Sequence, residues 1–328
     1  MCTFEGITQK VHIYFQRNGF IVYFIGQKVC FSSFRIPFRC MIVFFLNIIT
    51  LSCTFKVLSS QKLCTYLVQN SVNYCLFSAK MCTFRGKRSN MSKKFEQQLA
   101  ELGITLTQTQ FNQFDKYYEM LVEWNKVMNL TGITEYEEVN EKHFVDSLAL
   151  VKALDISKVQ TVIDIGTGAG FPGIPLKIAF PHLKITLLDS LNKRIRFLDS
   201  VIEELNLTDI HTTHGRAEDF ARQADYREQF DLCVSRAVAN LSTLSEYCLP
   251  YVKVGGFFVS YKSGDIVDEL SAAKTAVHVL GGTQNKPVVF QLPGSNISRS
   301  FVKIKKIKPT GKKFPRKAGL PSKEPIHG

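Results

Sequence analysis

From Val159 onward, short apolar runs alternate with stretches whose apolar residues recur three and four apart. The runs predict strands at 159–165, 183–189, 209–213, 230–236 and 254–262. The stretches between them predict helices near 173–180, 191–205, 241–249 and 264–280. Such alternation implies a parallel, doubly wound α/β sheet covered on both faces. Two further strands, near 287–292 and 299–307, have no helical pattern between them and are expected to be antiparallel, giving seven strands in all. In sheets of this kind, ligands bind at the carboxyl ends of the strands, where the topology reverses.

Residues 92–154 carry only the helical period. Phe95, Leu99 and Leu102 form a short stripe. A longer stripe runs through Phe111, Phe114, Tyr118, Leu121, Val122 and Val127, with Thr107 as the expected N-cap. A third helix is expected from about Glu135 to Leu154, with Phe144, Leu148 and Val151 facing inward. Together these make a small N-terminal helical cap.

Residues 1–90 follow neither period persistently. They hold 11 of the 41 Lys and Arg but one acid, Glu5, along with seven of nine cysteines and 12 of 26 phenylalanines. The net charge of +13 therefore divides into +10 for this segment and +3 for the rest. Met1-Cys-Thr-Phe-Glu-Gly recurs as Met81-Cys-Thr-Phe-Arg-Gly, but two copies make no solenoid. The apolar run Met41–Phe55 is short for a membrane span, which needs roughly 20 residues. The expected organisation is a leader at 1–90 that is not a domain, a cap at 91–155, a main domain at 156–308 and a basic tail at 309–328. The favoured reading of the leader is that translation begins at Met91. A targeting leader and a membrane anchor flanked by Arg35, Arg39 and Lys56 are the alternatives. The body's two cysteines, Cys233 and Cys248, fit a reducing compartment and read as core residues.

The densest chemistry lies in Asp164-Ile-Gly-Thr-Gly-Ala-Gly-Phe-Pro-Gly173, which follows the first strand of the sheet. A strand, a glycine-rich turn and a helix start form a cradle for a nucleotide-like ligand. Gly166, Gly168 and Gly170 permit close backbone approach and positive φ. Asp164 before the first glycine favours a ligand with a positive group and a ribose over a pyrophosphate. The embedded Gly168-Ala-Gly-Phe-Pro-Gly173 also matches the dinucleotide pattern, which leaves an NAD-dependent oxidoreductase open.

Asp189 ends the second strand, where a carboxylate can accept from both ribose hydroxyls or cap the helix that begins at Leu191. After the third strand, the main chain of Ala217 can meet an adenine edge, with Glu218 beside it. The fourth strand, Phe230 to Ala237, lacks an Asn/Asp-Pro-Pro-Tyr/Phe motif and a Pro-Cys pair. These absences argue against methylation of an exocyclic base amine and against cytosine chemistry through a cysteine nucleophile. His143, His211 and His214 have no metal-ligand spacing, so no metal is expected; His143 alone keeps a place near the site because it opens His-Phe-Val-Asp-Ser-Leu. From Lys303 to Lys323 the chain carries nine bases and no acid, either a solvated face or a phosphate-binding strip.

These segments resemble the glucose-inhibited division protein B family, the bacterial 16S rRNA guanine-N7 methyltransferases (methyltransferase G of the small subunit). The resemblance rests on Trp124-Asn-Lys-Val-Met-Asn-Leu-Thr131, His143 to Leu148, Asp164 to Lys177, Leu187 to Arg194 and Arg216-Ala-Glu218. Ser235 to Ala239, Cys248-Leu-Pro250 and Phe314-Pro-Arg-Lys-Ala-Gly319 complete it. It covers essentially all of 91–328 and none of 1–90. It implies a Rossmann-like, class I S-adenosylmethionine-dependent fold and methylation of N7 of a guanine in the 530 loop of 16S rRNA. It maps cofactor contacts onto Gly166, Phe171, Ala217, Glu218 and Arg236, to which the residues themselves add Gly168 and Asp189. RNA contacts are expected at Lys262, Lys312, Lys313, Arg316 and Lys317. No catalytic acid or base is required, because guanine N7 carries a free lone pair and positioning suffices. A cytoplasmic monomer that binds 16S rRNA or the small subunit, without membrane or metal, is expected. The rivals are the oxidoreductase and a catalytically silent RNA-binding assembly factor. A protein starting at Met91 should fold and remain active; an insoluble or inactive truncation would refute that origin of the leader.

Overall fold

The computed structural model describes the backbone of residues 2–6, 9–16, 19–24 and 27–32, and residues 92–236, 239–263 and 266–327 in full. The chain divides into two compact units, Met1–Gly86 and Lys87–Gly328. In the first, β1 (Cys2–Gly6), β2 (Gln9–Gln16), β3 (Gly19–Phe24) and β4 (Gln27–Ser32) pair antiparallel in chain order. No strand was expected there from the sequence. The signal is local: Val11, Ile13 and Phe15 alternate along β2, and two residues separate each strand from the next, the spacing of tight hairpins. The apolar run Met41–Phe55 lies outside the described residues. Among those described, no helix is long and apolar enough to cross a membrane.

The second unit begins with the expected helical cap. Helix α1 (Lys93–Glu101) is capped by Ser92, whose side chain accepts from the Lys94 N–H. Helix α2 (Gln108–Met128) opens on a reciprocal capping box between Thr107 and Gln110. Its buried face is Phe114, Tyr117 and Leu121, continued by Trp124 and Met128. Tyr118 and Val127, both expected inward, are respectively half-buried and 81% exposed. Val127 lies six residues past Leu121, which turns it to the far side of a 3.6-residue helix. The third expected helix is composite: α3 (Tyr136–Val139) widens into a π-helix over Asn140–Val145 before a final turn at Asp146–Leu148. Phe144 and Leu148 are buried as expected.

The sheet contains β5 (Thr161–Ile165), β6 (Lys184–Asp189), β7 (Ile210–His214), β8 (Phe230–Arg236), β9 (Val252–Lys262), β10 (Gly282–Gln284), β11 (Val288–Gln291) and β12 (Ser298–Lys306). Its order is β10-β12-β9-β8-β5-β6-β7, with β11 also paired to β12. The five strands from β7 to β9 are parallel, and β12 runs antiparallel to β9, β10 and β11. The sheet has eight strands rather than seven, because the short β10, which was not expected, precedes the expected sixth strand, β11, on the same edge of β12. Pro287 lies between them, where a residue without an N–H cannot donate to the ladder.

Side chains alternate across the sheet. Val162, Leu232 and Val234 join the core beneath the cap, while Ile163, Ile165 and Cys233 face the opposite core. Helices α4 (Gly173–Ala179) and α5 (Asn192–Glu204) follow β5 and β6, and α6 (Ala217–Phe220) follows β7. Helix α7 (Leu241–Cys248) follows β8. The expected helix at 264–280 is divided into α8 (Val267–Ala272) and α9 (Lys274–Val279). Cys233 and Cys248 are buried free thiols, as expected.

The C-terminal segment, which ends in α10 (Leu320–Lys323), is docked rather than free. The fully buried carboxylate of Glu246 accepts from the Arg316 backbone N–H at 2.6 Å, from Nε at 3.0 Å and from Nη2 at 2.7 Å. Arg227 donates to the carbonyls of Phe314 and Thr310, and Thr243 donates to that of Pro321. Lys306, counted among the nine bases of the tail, is in the core. Its ammonium donates to the Leu249 carbonyl at 2.7 Å and lies 3.2 Å from Glu228, and burial lowers its pKa to about 8. Replacing Glu246 by alanine should destabilise the protein by about 2 kcal/mol, below the 3–5 kcal/mol of a fully buried pair because Arg316 keeps some solvent. Urea unfolding and limited proteolysis after Lys312 or Lys313 would check this; an unchanged midpoint and cleavage rate would contradict it.

Candidate functional site

The carboxyl ends of β7, β6, β5 and β8 lie side by side, and each carries one of the expected site segments. The glycine-rich turn after β5 is stitched to its neighbour by main-chain bonds. Gly166 and Thr167 both donate to the Leu188 carbonyl, at 2.9 and 3.2 Å. Gly168 adopts φ +63°, a conformation glycine reaches without steric cost, and its N–H points at Asp189 Oδ2, 2.9 Å away. From the cap, the buried Tyr117 hydroxyl donates to the Ala169 carbonyl and pins the outer limb of the turn.

Asp164 occupies a position on β5 where the sheet buries apolar side chains, and it is fully buried. One oxygen, Oδ2, accepts from Thr167 Oγ1 at 2.7 Å and from the Gly173 N–H at 2.9 Å. A Cβ on Gly173 would collide with Leu187 and come 3.0 Å from that same oxygen, so glycine is required by close approach. The other oxygen, Oδ1, has no hydrogen-bond partner. Burial pushes the Asp164 pKa up to about 7, with Thr167, Gly173 and the Arg236 charge opposing the shift. A buried carboxylate with one unsatisfied oxygen is suited to a cationic partner.

Asp189 is also buried, and of the two roles expected of it the contact at the start of the following helix is present. Its Oδ1 accepts from the Leu191 N–H at 2.9 Å, at the start of α5. Its Oδ2 accepts from Gly168 and from Arg194 Nη1, the latter at 3.2 Å. The carboxylate thus joins the first two turns of the site. Each oxygen of a carboxylate has about two acceptor positions, so ribose would compete with Arg194 for Oδ2 and find Oδ1 half free. Ala217 and Glu218 begin α6 and are buried. The Ala217 carbonyl accepts from the Tyr251 hydroxyl at 2.6 Å, and Glu218 Oε1 accepts from the Gly319 N–H at 2.7 Å.

Arg236, at the end of β8, lies with its guanidinium carbon 5.0 Å from the centre of the Phe171 ring. His143 stacks on that ring at 4.6 Å with an interplanar angle of 27°. Burial, and then the Arg236 charge, lower the His143 pKa to about 4, so the ring is neutral at pH 7. Gly166, Gly168, Phe171, Asp189, Ala217, Glu218 and Arg236 thus all lie at or just after the carboxyl ends of the neighbouring strands β5, β6, β7 and β8. The expected RNA contacts are elsewhere and differ among themselves. Lys312, Lys313 and Lys317 are exposed. Arg316 is held by Glu246, and Lys262 donates to Glu269 at 2.6 Å and to the Ala239 carbonyl at 3.0 Å.

Sequence reasoning missed Tyr117, Asp146 and Arg299. Asp146 accepts from Arg236 Nη1 at 3.0 Å and from Arg299 Nε at 2.9 Å. Its signal was present, because it lies three residues after His143 in the segment already singled out. Tyr117 was masked by its neighbour Tyr118, and Arg299 sits in a run of mixed polar residues.

The strand order and the helices between the strands define a doubly wound α/β protein whose candidate site segments meet at the carboxyl ends of its central strands. Residues 110–302 match the family described as GidB, rRNA small subunit methyltransferase G. The ribosomal RNA small subunit methyltransferase G of Lachnoclostridium phytofermentans is 54% identical over 232 residues, 71% of this chain and 96% of that protein. Those of Brevibacillus brevis and Bacillus subtilis are 53% and 49% identical, and the matches span 98% and 99% of their lengths. The chain belongs to the rRNA small subunit methyltransferase G family.

Because the folded-state pKa of Asp164 lies above the ordinary value of 3.8, the fold binds this proton more tightly than the unfolded chain. The associated stability is complete below about 3.8 and is lost as pH rises through about 7. Asparagine cannot ionise, so the melting temperature of Asp164→Asn relative to the natural protein should climb across that window in the absence of ligand. A pH-independent difference would show that Asp164 does not hold its proton.

Proposed function

We propose that the chain transfers a methyl group from S-adenosylmethionine to N7 of a guanine in the 530 loop of 16S rRNA. The observation that carries this is the buried, unsatisfied oxygen of Asp164, set at the strand end in a chain of this family. S-adenosylmethionine would supply an electrophilic methyl on a sulfonium. In this proposal Asp164 holds the ammonium of the methionine end, and Asp189 the ribose. The Ala217 main chain meets the adenine edge, Glu218 supports it, and Gly166, Gly168 and Phe171 shape the cradle. Arg236 orients the donor or the target base.

The titratable groups of the crevice fit a reaction that removes no proton. Asp164 has a pKa near 7 but is sealed from solvent. His143 is neutral, and its Nε2 is 2.8 Å from Thr131 Oγ1 while Nδ1 is 3.3 Å from Arg236 Nη2. Neither stands free as a general base. Guanine N7 needs none, and alignment is the main contribution that the protein must make. A loop base is also easier to present than a stacked one. Lys312, Lys313 and Lys317 offer a basic strip for RNA phosphates, which supplies affinity more than base specificity. A cytoplasmic monomer acting on rRNA or the small subunit completes the proposal.

Mapping N7-methylguanine in small-subunit rRNA from cells with and without this gene tests the reaction; a modification that persists in its absence refutes it. Calorimetry with S-adenosylmethionine and with NAD separates methyl transfer from hydride transfer. Binding of S-adenosylmethionine should tighten as pH rises through about 7 and release a proton, since the ammonium favours ionised Asp164. RNA binding without methyl transfer would favour a silent assembly factor. Charge reversal at Lys312, Lys313 and Lys317 should reduce the slope of log affinity against log salt by roughly 0.7 for each phosphate no longer neutralised. An unaltered slope would remove the strip from the RNA interface.

A further inference from the structure

Arg236 is held from two sides by residues that lie 90 and 93 positions away in the chain. One Nη1 hydrogen goes to the Asp146 carboxylate at 3.0 Å and another to the Lys142 carbonyl at 3.2 Å. On the other side Nη2 lies 3.3 Å from His143 Nδ1. A guanidinium can only donate, so this contact is a hydrogen bond in the tautomer with its proton on Nε2, whereas the other tautomer donates from Nδ1 to the Lys142 carbonyl 3.1 Å away. Thr131 Oγ1 lies 2.8 Å from Nε2 and, as a hydroxyl, pairs with it in either tautomer. The Asp146 side chain is 6% exposed and that of Arg236 is 16% exposed, so the pair is poorly screened.

A guanidinium has five N–H groups, and these contacts engage three of them. Among the described residues, the Nε–H and the second Nη2 hydrogen of Arg236 have no hydrogen-bond partner. They form one edge of the fork, the edge that binds a planar or anionic group with two parallel bonds. The π-helix at Asn140–Val145 lies directly before Asp146 and carries His143, so the cap supplies both holding groups.

We propose that Asp146 and His143 are positioning residues, which fix Arg236 against Phe171 with one edge of its guanidinium free for the reacting ligands. The proposal rests on the methyl transfer proposed above and adds the groups that aim its arginine. Asp146 also binds Arg299, so a loss on mutation alone would not identify its route. A double-mutant cycle with Arg236 does.

The test uses the full chain, S-adenosylmethionine and small-subunit rRNA, with kcat/KM for methyl transfer and the melting temperature measured together. Asp146→Asn should lower kcat/KM between about tenfold and a hundredfold, as expected for a misplaced orienting group. The double variant with Arg236→Lys should fall no further than Arg236→Lys alone. An unchanged Asp146→Asn, or losses that multiply in the double variant, would overturn the proposal. If Asp146→Asn does not fold, His143→Asn and His143→Ala replace it. Asparagine keeps an acceptor near the Nδ1 position and should retain more activity than alanine; equal losses would overturn the proposal. A natural protein that transfers no methyl group would overturn the proposed function and this inference with it, whereas an active one indifferent to Asp146→Asn would overturn this inference alone.

Discussion

A carboxylate buried at the end of the middle strand is the constraint around which the site is organised. Asp164 has no solvent to stabilise its charge, so the chain must bring donors to it. It does so by folding the glycine-rich turn back on the strand, which places Thr167 and the Gly173 N–H on Oδ2. That return requires Gly173 to pass beside Leu187 without a side chain, and it sets the direction of α4. The supply of donors stops one oxygen short. The protein alone thus holds this group near its titration point, and a cation would complete it.

The second carboxylate, Asp189, uses the same local principle for a different end. It accepts main-chain bonds from two successive turns and keeps them in register. Both acids could be found in the sequence because each sits at the end of a strand, next to the residues it binds. The glycine turn, the caps of α2 and the parallel strands are legible for the same reason: their signals lie within a few residues. The elements that sequence reasoning misplaced depend on distant partners or on small phase errors. Arg316 looks like a free base until Glu246, 70 positions away, is folded beneath it. Lys306 reads as part of a basic strip, yet it is sealed over the Leu249 carbonyl. A shift of one position separates Tyr117, which fastens the glycine turn, from Tyr118, which does not.

The cap is part of the site rather than an ornament on it. Tyr117, His143 and Asp146 all come from its helices, and all reach groups on the sheet or on its loops. Phe171 lies between the two parts, against His143 and Arg236. These contacts therefore form only when cap and sheet are packed together, as they are over the shared apolar core beneath α1 and α2.

The bond from the Gly319 N–H to Glu218 connects the C-terminal segment to the start of the helix that follows β7. The last dozen residues are consequently not a convenient place for a purification handle or a fluorescent fusion. Trimming the chain ahead of Gly319 would strip a donor from the buried Glu218 and leave its carboxylate to reorient. A reporter attached at that end would read out the docking of this segment as well as the position of the protein.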